Sequence, residues 1–170
     1  VRIYYWKDDP DIRDFPGWPG DQRTVWAFRP LAQCTPIKGG EIATFDDLES
    51  DGIVRWGVLR MDVDNLGKIF QEGIPASSLS RVVGLSSLLR LYFEGHVPRL
   101  ADAYNQESKQ PRMYLMYAGG DDLFIVGGWS DLPHLAHDIQ QDFAKFACGN
   151  PKLTISGGIS IALDTKYPLY

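Results

Sequence analysis

Apolar residues follow two rhythms along this chain. Four short runs, Ile53 to Asp62, Arg112 to Ala118, Asp122 to Gly128 and Lys152 to Ala162, are rich in aliphatic, aromatic and β-branched side chains and predict strands. Between the first two, Leu79, Val82, Ser86, Leu89, Phe93, Val97 and Leu100 recur at helical spacing and predict a long helix from Ser77 to about Asn105 with its stripe on the core. A shorter helix over Asn65 to Gln71 precedes it across the break Glu72-Gly73-Ile74-Pro75, and another from Ser130 to about Ala147 leads into the last strand. Strand, helix, hairpin, helix, strand is the split βαβ order of ferredoxin-like folds: an α+β domain, βαββαβ, with an antiparallel sheet and helices on one face. In that topology the first and third strands are antiparallel neighbours.

The first part of the chain lacks this order. Val1 to Lys7 and Thr24 to Arg29 have strand composition, Asp8 to Asp21 is a Pro- and Gly-rich loop, and Thr44 to Ser50 reads as a short capped helix. Residues 1–50 are therefore read as an N-terminal strand-and-linker segment leaning on the domain at 51–170. Trp6, Trp18 and Trp26 are read as packing residues of that segment. The lack of an initiator Met, and an end at Tyr167-Pro168-Leu169-Tyr170 straight after a strand, suggest part of a longer chain.

Composition narrows the function classes. With 170 residues, 44% hydrophobic and 23% charged, the chain has enough for one domain core plus an appendage. No apolar run has the length of a membrane span and the start is no signal peptide, so the expected setting is the cytoplasm, with no membrane partner. A net charge of −5 argues against broad nucleic-acid binding by this segment alone. Cys34 and Cys148 lie far apart with no metal-ligand spacing and are read as packing residues. His134 and His137, on adjoining turns of the last helix, are read as solvated or capping residues.

The chemistry is concentrated in two acidic stretches. In Tyr117-Ala118-Gly119-Gly120-Asp121-Asp122-Leu123-Phe124, apolar runs flank a glycine pair and an aspartate pair, the pattern of a hairpin whose tip carries charge. Glycine leaves no side chain over such a turn, so a triphosphate can approach the main chain. A lone Gly-Asp hairpin is usually structural, but a second acidic site accompanies it. Asp62-Val63-Asp64-Asn65-Leu66-Gly67 ends the first strand, and Asp64 or Asn65 is placed to cap the next helix. The topology sets Asp62 beside Asp121 and Asp122, on strands about 4.8 Å apart. Three carboxylates in one volume suit hard divalent ions with oxygen ligands, Mg²⁺ or Mn²⁺, and two such ions serve nucleotidyl transfer. Lys166, just past the last strand, is a candidate for neutralising triphosphate charge, or else a surface residue.

The same two motifs, with Asn150-Pro151-Lys152-Leu153-Thr154-Ile155-Ser156-Gly157-Gly158-Ile159 and Lys166-Tyr167-Pro168-Leu169-Tyr170, resemble the palm (GGDD) domain of the large subunit of type III CRISPR effector complexes, in wording closest to the III-A, or Csm, branch. The resemblance covers roughly Thr44 to Tyr170. It implies a palm of the nucleotide-cyclase type that converts ATP into cyclic oligoadenylate when the complex binds target RNA through its guide RNA. Its implied partners are the other subunits of the effector complex. Carried over by position, Asp62, Asp121 and Asp122 are the catalytic metal ligands for two ions, with the Val63 carbonyl assisting, and Gly119 and Gly120 lie against the nucleotide. The family's degenerate partner palm and its HD-type nuclease domain are expected outside these residues.

Three other readings stand beside this one. A diguanylate cyclase shares the palm but carries Glu where Asp122 stands and an inhibitory Arg-x-x-Asp upstream, whereas Arg112 is followed here by Leu115. A template-directed polymerase needs finger and thumb elements for which the segment has no room. A non-catalytic scaffold in a ribonucleoprotein gains nothing from clustered negative charge.

Overall fold

Residues 32–48, 55–74, 78–108 and 110–163 are described by the structure, a computed structural model. The strand readings at Val1 to Lys7 and Thr24 to Arg29, the three early tryptophans and Lys166 lie outside the described residues. In the N-terminal part, β1 (Ile37–Lys38) and β2 (Glu41–Ile42) pair as a hairpin over Gly39 and Gly40, both at positive φ. The helix expected from Thr44 is only a 3-10 turn, Phe45–Asp47. Asp47 accounts for that turn: its Oδ2 accepts both the Thr44 N–H (2.9 Å) and the Thr44 hydroxyl (2.7 Å), and Lys38 donates to its Oδ1 at 2.9 Å.

The remaining elements are β3 (Trp56–Val63), α1 (Leu66–Glu72), α2 (Leu79–Arg90), a π-helical turn (Leu91–His96), α3 (Val97–Ser108), β4 (Met113–Gly119), β5 (Asp122–Gly128), α4 (Leu132–Phe146) and β6 (Ile155–Ile161). Four strands form one sheet in the order β4-β5-β3-β6, every neighbouring pair antiparallel, as the split βαβ reading requires. Alternation along β3 decides its two faces. Leu59, Met61 and Val63 are buried beneath the helices, while Arg60 and Asp62 are exposed on the other side.

The helix-side core joins these strand residues to Leu89, Phe93, Val97 and Ala101 and to Leu132, Leu135, Ile139 and Phe143 of α4. The anticipated stripe is only half buried: Leu79 is 80% exposed and Ser86 is exposed, because α2 reaches the core only through its later turns, at Leu85 and Leu89. From Leu89 to Ala101 the buried positions step by four residues, which drifts around a 3.6-residue helix. The wider π turn offsets that drift and turns Glu94 into the interior, where it is 5% exposed.

On the opposite face a smaller cluster of Leu48, Trp56, Val126 and Ala162 forms, with Phe45 against Trp56 and edge-on to Tyr114 at 5.9 and 5.7 Å between ring centroids. The main-chain N–H of Leu115 donates to the Cys34 carbonyl at 2.9 Å, so the described N-terminal residues do lean on the sheet. The last strand starts three residues later than its apolar pattern predicts, at Ile155. Cys148 and Gly149 take positive φ after α4, and the Asn150 side chain accepts the Lys152 N–H at 3.0 Å, which holds residues 150–153 in a turn. Among the described residues no helix is long and apolar enough to cross a membrane.

Candidate active site at the hairpin tip

The β4-β5 register closes on Gly119 opposite Asp122, leaving Gly120-Asp121 as a two-residue turn. Gly120 has φ +71°, and Asp121 is not among the residues at positive φ. A primed turn with glycine at its first central position matches the right-handed twist of the strands. That local chemistry puts two carboxylates at the tip of the hairpin.

The end of β3 is fastened on both sides of the acids. Asp62 stands opposite Asp122 on β5 and opposite Ser156 on β6. Residues so opposed have Cα atoms about 4.5–5.5 Å apart. Beyond the paired residues, the Val63 N–H donates to the Asp121 carbonyl at 3.1 Å, and the Asp64 N–H donates to the Thr154 carbonyl at 2.8 Å. Asp62, Asp121 and Asp122 therefore come together, with Gly119 and Gly120 beside them and Val63 one residue from Asp62.

Asp64 and Asn65 behave differently from the expected helix cap. Asn65 occupies the position before α1 but at φ 54°, with no side-chain cap. Asp64 instead uses Oδ2 to accept the hydroxyls of Thr154 at 2.6 Å and Ser156 at 3.0 Å, tying the strand end to β6. His134 and His137 are exposed on α4. The adjacent Asp138 accepts the Tyr104 hydroxyl at 2.7 Å, which links α4 to α3.

Negative charge accumulates at the tip. Burial and the neighbouring charges of Asp62 and Asp122 raise the Asp121 carboxyl above its usual range. A hydrogen bond to Asp122, then burial and the charges of Asp122, Asp121 and Glu94, raise the Tyr117 phenol. The Tyr117 hydroxyl also lies 3.0 Å from the Gly119 carbonyl, to which it donates. Glu94 approaches from the π turn: a methyl placed on Gly119 would sit 3.5 Å from its Oε1, and Arg90 Nε is 3.7 Å from the same oxygen.

Sequence reasoning gave Tyr117 and Glu94 no role at the site. A charged residue inside the apolar stripe, directly after Phe93, was the one signal pointing to Glu94. Among the described residues, no three His, Cys, Asp or Glu side chains are grouped so that they could hold a metal ion as they stand. The donor set is all oxygen, the kind a hard divalent cation takes, and such an ion would offset the Asp62 and Asp122 charges that, after burial, raise Asp121.

This sheet order, with acids at the end of β3 and at the β4-β5 tip, defines a palm domain. The chain belongs to the Cas10/Cmr2 family: residues 55–170 match its second palm domain. It is 43% identical over 148 residues, 79% of this chain and 18% of the relative, to the CRISPR system single-strand-specific deoxyribonuclease Cas10/Csm1 (subtype III-A) of Methanocaldococcus jannaschii. It is also similar to a Csm1-Csm4 cassette in complex with one ATP, at TM-score 0.71 and 30% identity over 83% of this chain and 21% of that one. A Csm1-Csm4 cassette in complex with cA4 gives TM-score 0.70 and 29% identity over 82% and 21%. The chain thus spans about a fifth of the proteins it matches.

Proposed function

We propose that this palm is a metal-dependent nucleotidyltransferase of a type III-A CRISPR complex, making cyclic oligoadenylate from ATP when the complex binds target RNA. The observation that carries the reading is the direct opposition of Asp62 and Asp122, with Asp121 tied to Val63 by a main-chain hydrogen bond. Support also comes from the relatives, whose cassettes are described with ATP and with cA4.

Asp62, Asp121 and Asp122, with the Val63 carbonyl, would hold two Mg²⁺ or Mn²⁺ ions. Those ions supply activation of a 3′-hydroxyl and stabilisation of the departing pyrophosphate. In the transfer, the 3′-oxygen of one adenylate forms a bond to the α-phosphorus of the next ATP. The bond from that phosphorus to the β-bridging oxygen breaks, pyrophosphate leaves, and the hydroxyl proton passes to water. Gly119 and Gly120 keep side chains away from the phosphates. The Tyr117 hydroxyl donates to the Gly119 carbonyl and stands beside the Asp122 carboxylate.

The test uses the full-length protein carrying this chain, assembled with its partner subunits, guide RNA and target RNA, and given Mg²⁺ with ATP or GTP. An adenylate ring from ATP is expected. A guanylate product would instead favour a diguanylate-cyclase-like enzyme, and unchanged synthesis by the double variant Asp121→Ala, Asp122→Ala would reject the catalytic assignment.

A further inference from the structure

On the open face of the sheet, the row next to the acids has a different chemistry. Arg60 lies two residues before Asp62 on β3, so it shares that face one row away, about 7 Å along the strand. Its register partners are Phe124 on β5 and Gly158 on β6. The Arg60 guanidinium carbon stands 5.6 Å from the Phe124 ring centroid, a cation–π arrangement, and Arg60 is exposed. A guanidinium stacked in this way keeps the N–H donors in its plane for another partner. On the other flank, a methyl placed on Gly158 would meet none of the described residues within 4 Å, so among them the row has open space beside the arginine. Farther along the face, Trp56 and Val126 lie under the Leu48 and Phe45 cluster, which limits the open strip to the acid row and the arginine row.

We infer that Arg60, steadied by Phe124 and given room by Gly158, is a phosphate-binding residue for the acceptor strand of the reaction. The inference rests on the nucleotidyltransferase reading. The phosphate under attack belongs at the acids, so a phosphate one row away belongs to the nucleotide that offers its 3′-hydroxyl. For a growing linear product that group is the phosphodiester behind the reacting end. Arg60 therefore acts on retention of intermediates rather than on the chemical step.

The experiment measures binding of a linear adenylate dinucleotide bearing a 5′-triphosphate to the full-length protein in EDTA, where metal ligation contributes nothing. Arg60→Gln is expected to weaken binding about tenfold, the scale of one charge-assisted contact, and to make the salt dependence shallower by about 0.7 in log–log slope. Arg60→Lys keeps the slope, and adenosine binding is the same in all three proteins. Gly158→Val fills the open flank on an edge strand that tolerates β-branched residues, so it weakens dinucleotide binding without lowering the melting temperature. With Mg²⁺, ATP and target RNA, Arg60→Gln shifts product from rings to short linear chains. Absence of dinucleotide binding by the unmodified protein, or equal binding by Arg60→Gln, overturns the inference. Failure of the unmodified complex to make any adenylate product overturns the nucleotidyltransferase reading instead, and leaves the metal-free binding result to stand as evidence of a phosphate subsite.

Discussion

Asp62 and Asp122 face each other across the β3-β5 ladder, the last pair of that register. Like charges placed directly opposite on a sheet destabilise it. The fold holds them there with main-chain bonds: the Val63 N–H closes on the Asp121 carbonyl and the Asp64 N–H on Thr154. The arrangement sacrifices stability for local charge, a signature of a site built to receive a ligand.

Removing that charge separates stability from function. Asp122→Asn keeps the side-chain shape and relieves the repulsion, so the metal-free protein melts at the same temperature or a few degrees higher. Under the proposed function, oligoadenylate synthesis by the assembled complex falls by at least about 10²-fold, since the variant gives up a proposed carboxylate ligand of a catalytic ion. Mg²⁺ raises the melting temperature of the unmodified protein and has a smaller effect on the variant. Differential scanning fluorimetry with and without EDTA reads both effects, and a variant that melts much lower with full activity contradicts the account.

The link from Asp64 to β6 gives a second prediction. Its carboxylate gathers the Thr154 and Ser156 hydroxyls at 2.6 and 3.0 Å, fixing the strand end that carries Asp62. Asp64→Ala breaks both bonds at a partly exposed position and is expected to cost about 1–2 kcal/mol in urea unfolding. Thr154→Val removes one of the two and costs about half as much. Equal stability of Asp64→Ala and the unmodified chain would show that the bonds do not fix the strand end.

These two sites mark how far the sequence was legible. The sheet order and the meeting of Asp62 with the hairpin acids followed from strand periodicity and turn chemistry, because a split βαβ leaves little freedom in which strands pair. What stayed hidden depended on long-range partners or on backbone geometry with weak local signals. Asp64 next to Asn65 looks like a cap until the hydroxyls of Thr154 and Ser156, some ninety residues on, claim it. The π turn leaves no period of its own over six residues, so Glu94 read as one position of an ordinary helix. The exposed start of α2 carries the same apolar pattern as its buried end, and only the extent of the sheet tells them apart.

The two cysteines report on packing through their chemistry. Cys34 is buried, its thiol is pushed up to about 12 by burial and then by the Asp102 charge, and it lies 3.6 Å from the Met113 carbonyl. Cys148 is exposed. Under native conditions at pH 8 a thiol reagent is expected to modify one cysteine, and two after urea unfolding. Because the folded thiol ionises above its unfolded value, its stabilising contribution is complete below the ordinary thiol range and is lost as pH rises from there toward about 12. Cys34→Ala flattens that alkaline decline. Two fast-reacting thiols in the native protein would place Cys34 at the surface.

The glycine pair makes the last prediction, because its two members are glycine for different reasons. Gly120 sits at φ +71° with open space where a methyl would go. Gly120→Ala therefore strains the turn by about 1–2 kcal/mol without adding a clash. Gly119 is not at positive φ, and a methyl there meets Glu94 Oε1 and the Tyr117 ring at 3.5 and 3.7 Å, ordinary contact distances. Gly119→Ala is thus expected to fold with stability within about 1 kcal/mol of the unmodified chain, and reduced unfolded-state entropy favours it. Its methyl nevertheless projects from the face shared with Asp122, where the nucleotide phosphates are proposed to lie. Synthesis should fall more than tenfold for Gly119→Ala while its urea midpoint stays put, and the urea midpoint should fall for Gly120→Ala. Full synthesis by Gly119→Ala would move the nucleotide off the glycine pair.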